Sequence, residues 1–204
     1  MTKVTIIGAG NMGGAIAKLA TAGGNEVQLL ARDAAKATAA TGATAGTIGD
    51  AITGDLVVLA VPHPAVADVI GTYGDQLEGK VIVDITNPVD FATFDSLVVP
   101  ADSSNSREIA ALAPKASVIK AFNTNFAATL HAGSVGSEKT AVLIAGDDAE
   151  GKAALAKIVT DAGLKAVDAG SLKRARELES LGFLQLTLAA SEKTSWTSGF
   201  ALAD

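Results

Sequence analysis

Val4-Thr5-Ile6-Ile7-Gly8-Ala9-Gly10-Asn11-Met12-Gly13 decides the fold. An apolar, β-branched run that feeds G-x-G-x-x-G into an Ala-rich stretch is the pattern of a buried strand turning sharply into a helix. Gly8 permits the tight turn, Gly10 leaves room for a pyrophosphate to approach the backbone, and Gly13 lets the helix pack closely on the strand. The helix start, at Asn11 and Met12, then offers unpaired N–H groups and a partial positive charge to phosphates. The ligand implied is a dinucleotide.

The second strand carries the choice between dinucleotides. Glu26-Val27-Gln28-Leu29-Leu30 runs into Ala31-Arg32, where NAD binders place an Asp or Glu on the adenosine ribose. Without that carboxylate a 2′-phosphate is not repelled, and the Arg32 guanidinium is a fork suited to gripping one. Lys36, one helical turn on, adds a second positive charge. This reading favours NADP(H). Asp33 has two readings: the acidic ribose partner, if the strand ends two residues later, or the cap of a helix Ala34–Ala40, with Arg32 solvated.

Further strands are expected at Thr44–Thr47, Leu56–Val61, Lys80–Ile85, Ser117–Phe122, Thr140–Ala145 and Lys165–Asp168. Near-continuous apolar runs such as Leu56–Val61 mark parallel strands buried on both faces. Helices are expected at Met12–Thr21, Ala65–Gly71, Ser106–Ala113, Asp148–Asp161 and Leu172–Ala190, and Ala34–Ala45 reads as a surface helix and turn. The alternation predicts an α/β fold, a Rossmann-type doubly wound, mostly parallel sheet with a small C-terminal helical extension. Its 204 residues suit one domain, residues 1–204, with 170–204 as that extension. Three strand ends then open onto one edge: Val61-Pro62-His63-Pro64, Thr86-Asn87-Pro88 and Phe122-Asn123-Thr124. Ligands of open α/β sheets lie beyond such ends.

Composition narrows the function classes. Without cysteine there is no disulfide, thiolate metal site or Cys nucleophile. The net charge of −6 is spread along the chain with no basic run, which argues against nucleic acid. The N-terminus reads as a strand and not a signal peptide, and no apolar stretch approaches a membrane span; a cytoplasmic protein is expected. The two histidines are His63, at a strand mouth and open to either a ribose contact or solvent, and His131, read as a surface or helix-end residue. Lys120 is awkward inside a buried strand unless its ammonium reaches water or a phosphate. Arg174, Arg176, Glu177 and Glu179 read as an exposed helix face with internal ion pairs, and Ser171 as the cap of that helix. The apolar tail Leu181–Leu188, with Trp196 and Phe200, suits core packing, a ring cover or a dimer contact.

Separated motifs in order carry a family resemblance: Ile7–Gly13, Val83-Asp84-Ile85-Thr86-Asn87-Pro88, Lys120-Ala121-Phe122-Asn123-Thr124, and Ala169-Gly170-Ser171-Leu172 followed by Ala175-Arg176-Glu177-Leu178-Glu179. Over nearly its whole length the chain resembles the NADPH-dependent coenzyme F420 reductases. Its later motifs are also similar to the cytosolic domain of six-transmembrane ferric and cupric reductases, which use an ordinary flavin. The resemblance implies Gly8, Gly10, Asn11, Met12 and Gly13 at the diphosphate, and Arg32 with Lys36 at the 2′-phosphate. It implies Val61, Pro62 and His63 beside the riboses, and Asn87, Pro88, Ala121 and Asn123 around the nicotinamide. Ala31 departs from relatives that carry a hydroxyl there. The implied activity is hydride transfer between NADP(H) and coenzyme F420 without a metal or a catalytic side chain, in a homodimer whose tail serves both acceptor pocket and dimer. The alternatives are an NADPH-dependent flavin (FMN or FAD) or ferric reductase, and a non-catalytic NADPH-binding redox sensor. A small-carbonyl or imine reductase, suggested by the opening residues alone, lacks room after Lys165 for the usual helical dimerisation domain.

Overall fold

The computed structural model describes residues 1–37 and 42–203. Strand β1 (Lys3–Ile7) leads through the glycine turn into α1 (Asn11–Ala22), then β2 (Glu26–Ala31), the short α2 (Ala34–Ala37) and β3 (Thr44–Thr47). The second half-unit is β4 (Leu56–Leu59), α3 (Val66–Tyr73), β5 (Val81–Asp84), α4 (Asn105–Leu112) and β6 (Ser117–Lys120). There follow α5 (Ala127–Ala132), a hairpin of β7 (Ser134–Val135) and β8 (Glu138–Lys139), then β9 (Ala141–Gly146), α6 (Ala149–Asp161), β10 (Lys165–Gly170) and α7 (Ala175–Ala190). Of the expected helix Ala34–Ala40, residues 38–40 lie outside the described residues, as do 38–41 of the stretch Ala34–Ala45.

Eight strands form one sheet in the order β10-β9-β6-β5-β4-β1-β2-β3. From β3 to β6 this is the doubly wound order, parallel throughout, with the strand order reversing beside β1. The last two strands pair parallel with each other, but β9 meets β6 antiparallel. Strand β1 is the hinge of the topology, pairing Ile7 with Leu30 on one side and Leu59 on the other. Alternate residues feed two cores: Val4, Ile6, Leu29, Val58 and Val83 pack with α1 and α6, while Ile7, Leu30, Val57, Leu59 and Ile82 pack with α3 and α4. Both faces are covered, so the strands read as unbroken apolar runs. No helix among the described residues is long and apolar enough to cross a membrane.

Several expected boundaries move, each for a local reason. Strand β6 ends at Lys120, two residues early, because Phe122 takes a left-handed φ of 61°. The helix expected from Leu172 opens as a 3₁₀ turn, Leu172–Arg174, before α7. Ser171 sits at its cap position but its side chain makes no capping bond; its carbonyl accepts from Arg174 N–H instead. Asp148 and Ser104 do cap their helices, accepting from Gly151 N–H and Arg107 N–H.

Two readings of charged residues are corrected. Glu179 is not on an exposed face but fully buried, and Lys120 is fully buried too, its ammonium paired inside the protein and not snorkelling to solvent. Lys120 Nζ lies 2.9 Å from both Asp84 Oδ2 and Glu179 Oε1, and donates to Thr86 O as well. Asp84 and Lys120 face each other in register across β5 and β6. Asp84 also accepts from Ser106 Oγ at 2.7 Å and from Thr86 N–H and hydroxyl. Glu179 reaches across from α7 to accept from Asn105 N–H at 3.0 Å and Ser106 N–H at 3.4 Å, at the positive start of α4. Burial pushes the Asp84 carboxyl up, but the Lys120 charge and the hydrogen bonds from Lys120, Ser106 and Thr86 outweigh it and hold it below its ordinary value. Burial dominates at Glu179, aided by the nearby Asp84 charge and opposed by Lys120, and its carboxyl is raised.

Deleting the shared cation leaves buried negative charge without a partner, so Lys120→Met is expected to cost about 3–5 kcal/mol, read from urea denaturation. The two carboxyls carry opposite signs of pH dependence. Asp84 stabilises the fold above its ordinary value of 3.8, and that contribution is lost as pH falls through its lower folded value. A raised Glu179 stabilises fully below its ordinary 4.5, and this is lost as pH rises through its folded value. Urea midpoints measured from pH 4.5 upward are therefore expected to fall less steeply in Glu179→Gln than in the parent.

Candidate functional site

The turn between β1 and α1 is built by mutual exclusion. Gly8 has φ +114° and donates to Leu30 O at 2.7 Å; a Cβ there would lie 2.1 Å from Ala60 O. A Cβ on Gly13 would lie 1.8 Å from Gly8 O. Gly10 differs: nothing stands within 4 Å of the position its Cβ would take. Gly10 is also the cap residue of α1, and no side chain caps that helix. The first-turn N–H groups of Asn11, Met12 and Gly13 have no intrahelical acceptor, and Gly10, Asn11 and Met12 line a hollow at this end of the helix.

Two hollows meet at this turn. One, of about 600 Å³, is lined by Gly8, Gly10, Arg32, Asp33, Lys36, Val61 and Pro62, among others. The other, of about 800 Å³, is lined by Gly10, Asn11, Met12, Val61, Pro62, His63, Asn87 and Asn123 together with Phe91, Phe122, Phe126, Leu186 and Trp196. They share Gly10, Ala60, Val61 and Pro62, so one groove crosses the sheet edge where strand order reverses. At its first end Ala31 closes β2 while Arg32 and Lys36 are exposed. The Asp33 carboxylate accepts from Ala35 N–H at 3.0 Å and so caps α2, one of its two expected readings.

The other end is shaped by two amides. Asn87 Nδ2 donates to Asn123 O at 2.7 Å, and Asn123 Nδ2 donates to Asn87 Oδ1 at 2.9 Å and to Leu178 O on α7 at 2.7 Å. These bonds hold the turn that contains Phe122, whose left-handed backbone costs on the order of 1–3 kcal/mol. Of the expected residues, Gly13, Pro88 and Ala121 stand behind the wall: Gly13 packs on Gly8, and Pro88 and Ala121 are buried.

Two rings of the aromatic wall, Phe91 and Phe126, carry no signal in the sequence. They come from loops with no motif, and Trp196 packs at a tilt of 52° against Phe126 with ring centroids 5.1 Å apart. Asn125, two positions past Asn123, was within reach of the Asn123-Thr124 motif. Among the described residues that line the larger hollow, His63 is the one titratable side chain.

A bound nicotinamide dinucleotide fits these features. Gly10 leaves a cradle that a side chain would fill, and the uncapped helix presents donors to a diphosphate. The buried Oδ1 atoms of Asn123 and Asn125 have no hydrogen-bond partner, although both residues line the larger hollow. Acceptors in that state suit a carboxamide NH₂.

Residues 3–88 match the family described as NADP oxidoreductase, coenzyme F420-dependent. The chain is similar to the metalloreductase STEAP3 of Rattus norvegicus, 36% identical over 110 residues, which cover 54% of this chain but only 21% of that protein. It is also similar to the F420-dependent NADP reductase of Methanocaldococcus jannaschii, 28% identical over 152 residues, covering 71% of this chain and 66% of that one. Among solved structures, a proposed F420-dependent NADP-reductase from Arthrobacter sp. FB24 superposes over 100% of both chains with a TM-score of 0.86 at 25% identity.

The glycines separate folding from binding. Gly8→Ala is expected to destabilise by about 3 kcal/mol or more, through backbone strain and overlap with Ala60. Gly10→Ala is expected to melt within about 2 °C of the parent, while losing about tenfold or more in affinity for 2′,5′-ADP because the methyl enters the phosphate approach. Thermal melts and nucleotide titration on the pair check both.

Proposed function

We propose that the chain, whose residues 3–88 match the coenzyme F420-dependent NADP oxidoreductase family, is an NADP-dependent oxidoreductase that moves a hydride between NADP(H) and coenzyme F420. The observation that carries the reading is the single groove running from Arg32 and Lys36, past the uncapped start of α1, to an aromatic-walled hollow. Arg32 and Lys36 hold the 2′-phosphate, Gly8, Gly10 and the N–H groups of α1 hold the diphosphate, and Val61, Pro62 and His63 flank the riboses. Asn87 and Asn123, with Pro88 and Ala121 behind them, frame the nicotinamide. The cofactor, when bound, supplies two-electron hydride chemistry, which asks the protein for alignment and exclusion of water. Phe91, Phe126, Leu186 and Trp196 provide a face on which a flat acceptor ring can lie, and among the described residues the lining carries no Asp, Glu, Lys or Arg to move a proton.

A second reading, reduction of FMN or FAD with onward transfer to ferric iron, is favoured by the similarity to a metalloreductase. In either case the protein works as one domain in the cytoplasm. It pairs as a homodimer through α7 and the residues after it, where Leu184, Phe200 and Leu202 are exposed.

NADPH oxidation, followed by absorbance with F420, FMN, FAD and ferric chelate supplied separately, tests the acceptor. Fast turnover with F420 alone supports the first reading; turnover only with flavins moves the protein to the second, and none with any of them to a binding role. Arg32→Ala is expected to raise KM for NADPH about 10- to 100-fold with little change for NADH, as loss of charge-assisted bonds to a phosphate requires.

A further inference from the structure

Asn87 and Asn123, the amides at the nicotinamide end, each lie three positions beyond a member of the buried charge cluster, Asp84 and Lys120. The third member, Glu179, stands on the turn of α7 that touches both amides. Leu178 O accepts from Asn123 Nδ2 at 2.7 Å, and a Cβ on Gly182 would lie 2.4 Å from Asn87 Oδ1. Between Lys120 and Asn123 the chain passes through Phe122 at φ 61°, a conformation kept only where surrounding contacts over-determine it. Helix α7 therefore meets the amide pair through a backbone carbonyl and a bare glycine, neither of which can fix its own height. Its buried charged tether is Glu179, held at 2.9 Å by Lys120 and at 3.0 Å by Asn105 N–H.

We propose that Glu179 is a positioning residue for hydride transfer: by pinning α7 to β6 and to the start of α4, it sets the height at which Leu178 and Gly182 hold Asn123 and Asn87. The inference rests on the NADP oxidoreductase reading above. Glu179 lies outside the groove lining and acts only through the amide pair. A helix freed to slide by a fraction of its rise misplaces that pair, and misplacement of about 1 Å can slow a positioned reaction by about 10²-fold.

The test is a double-mutant cycle of Glu179→Gln with Asn123→Ala, read two ways. Affinity for 2′,5′-ADP, which fills only the adenosine end, is expected to match the parent in all variants. Single-turnover oxidation of bound NADPH, with F420 as acceptor or FMN where F420 is not reduced, is expected to slow about 10- to 100-fold in Glu179→Gln. KM for NADPH should stay within about twofold. The double variant should lose clearly less than the product of the two single losses, because Glu179 acts through Asn123 and keeps only its route by way of Asn87 once that amide is gone. Effects that multiply, or an unchanged rate in Glu179→Gln, overturn the proposal. Should Glu179→Gln fail to fold, Glu179→Asp takes its place in the same cycle, with a smaller loss expected and the same criterion. Failure of the parent itself to bind 2′,5′-ADP overturns the NADP reading and this inference with it, an outcome distinct from a parent that binds and a cycle that multiplies.

Discussion

One ammonium, on Lys120, sits in the dry interior between two carboxylates, and four elements meet there: β5, β6, α4 and α7. Apolar side chains of the same volume would hold these elements at least as firmly, since desolvating three ionisable groups offsets most of their attraction. What apolar packing lacks is direction. Hydrogen bonds have required lengths and angles, and this cluster uses them to fix the register of two strand ends and the entry of two helices at once. Its excess negative charge is balanced by the start of α4, whose first N–H groups point at Glu179.

The location of the cluster explains its value. Strand order reverses beside β1, and the groove opens over that reversal, so one wall comes from β1 and β2 and the other from β4, β5 and β6. The first wall is shaped by backbone packing around Gly8 and Gly13, which leaves nothing adjustable. The second is made of loops, and loops need anchoring. Two of the three strand mouths expected to face a ligand take theirs from Asp84 and Lys120, directly below them.

The legible part of this molecule is the part written in local pattern. β1, its glycine turn and α1 follow from ten consecutive residues, and strands buried on both faces announce themselves as runs of Val, Ile and Leu. The direction of β9 does not, because Ala141–Gly146 is equally apolar whichever way it runs, and only pairing with β6 decides it. Helix α5, six residues long, is too short for a periodic signal. Glu179 is the instructive failure. Flanked by Arg174, Arg176 and Glu177, it reads as one more solvated charge, and only its distant partner on β6 reveals a core residue. The clue lay at the other end: a lysine inside an otherwise apolar strand demands a buried counter-charge. Half of the aromatic wall was illegible for a similar reason: Trp196 and Phe122 stand out in the tail and at a strand mouth, but Phe91 and Phe126 reach the hollow from loops far apart in the chain.

Gly8, Gly13 and Ala60 occupy one another's missing volume, a Cβ on Gly13 falling 3.2 Å from that of Ala60. Neither glycine can gain a side chain without displacing the other or Ala60, so a change at one position has to be met by changes at its neighbours. Gly10, a few ångströms away, carries no such bond to its neighbours. Variation can enter the groove at Gly10, or along the loop-borne aromatic wall, without first breaking the scaffold. A descendant of this chain would therefore change what it binds long before it changed how it folds.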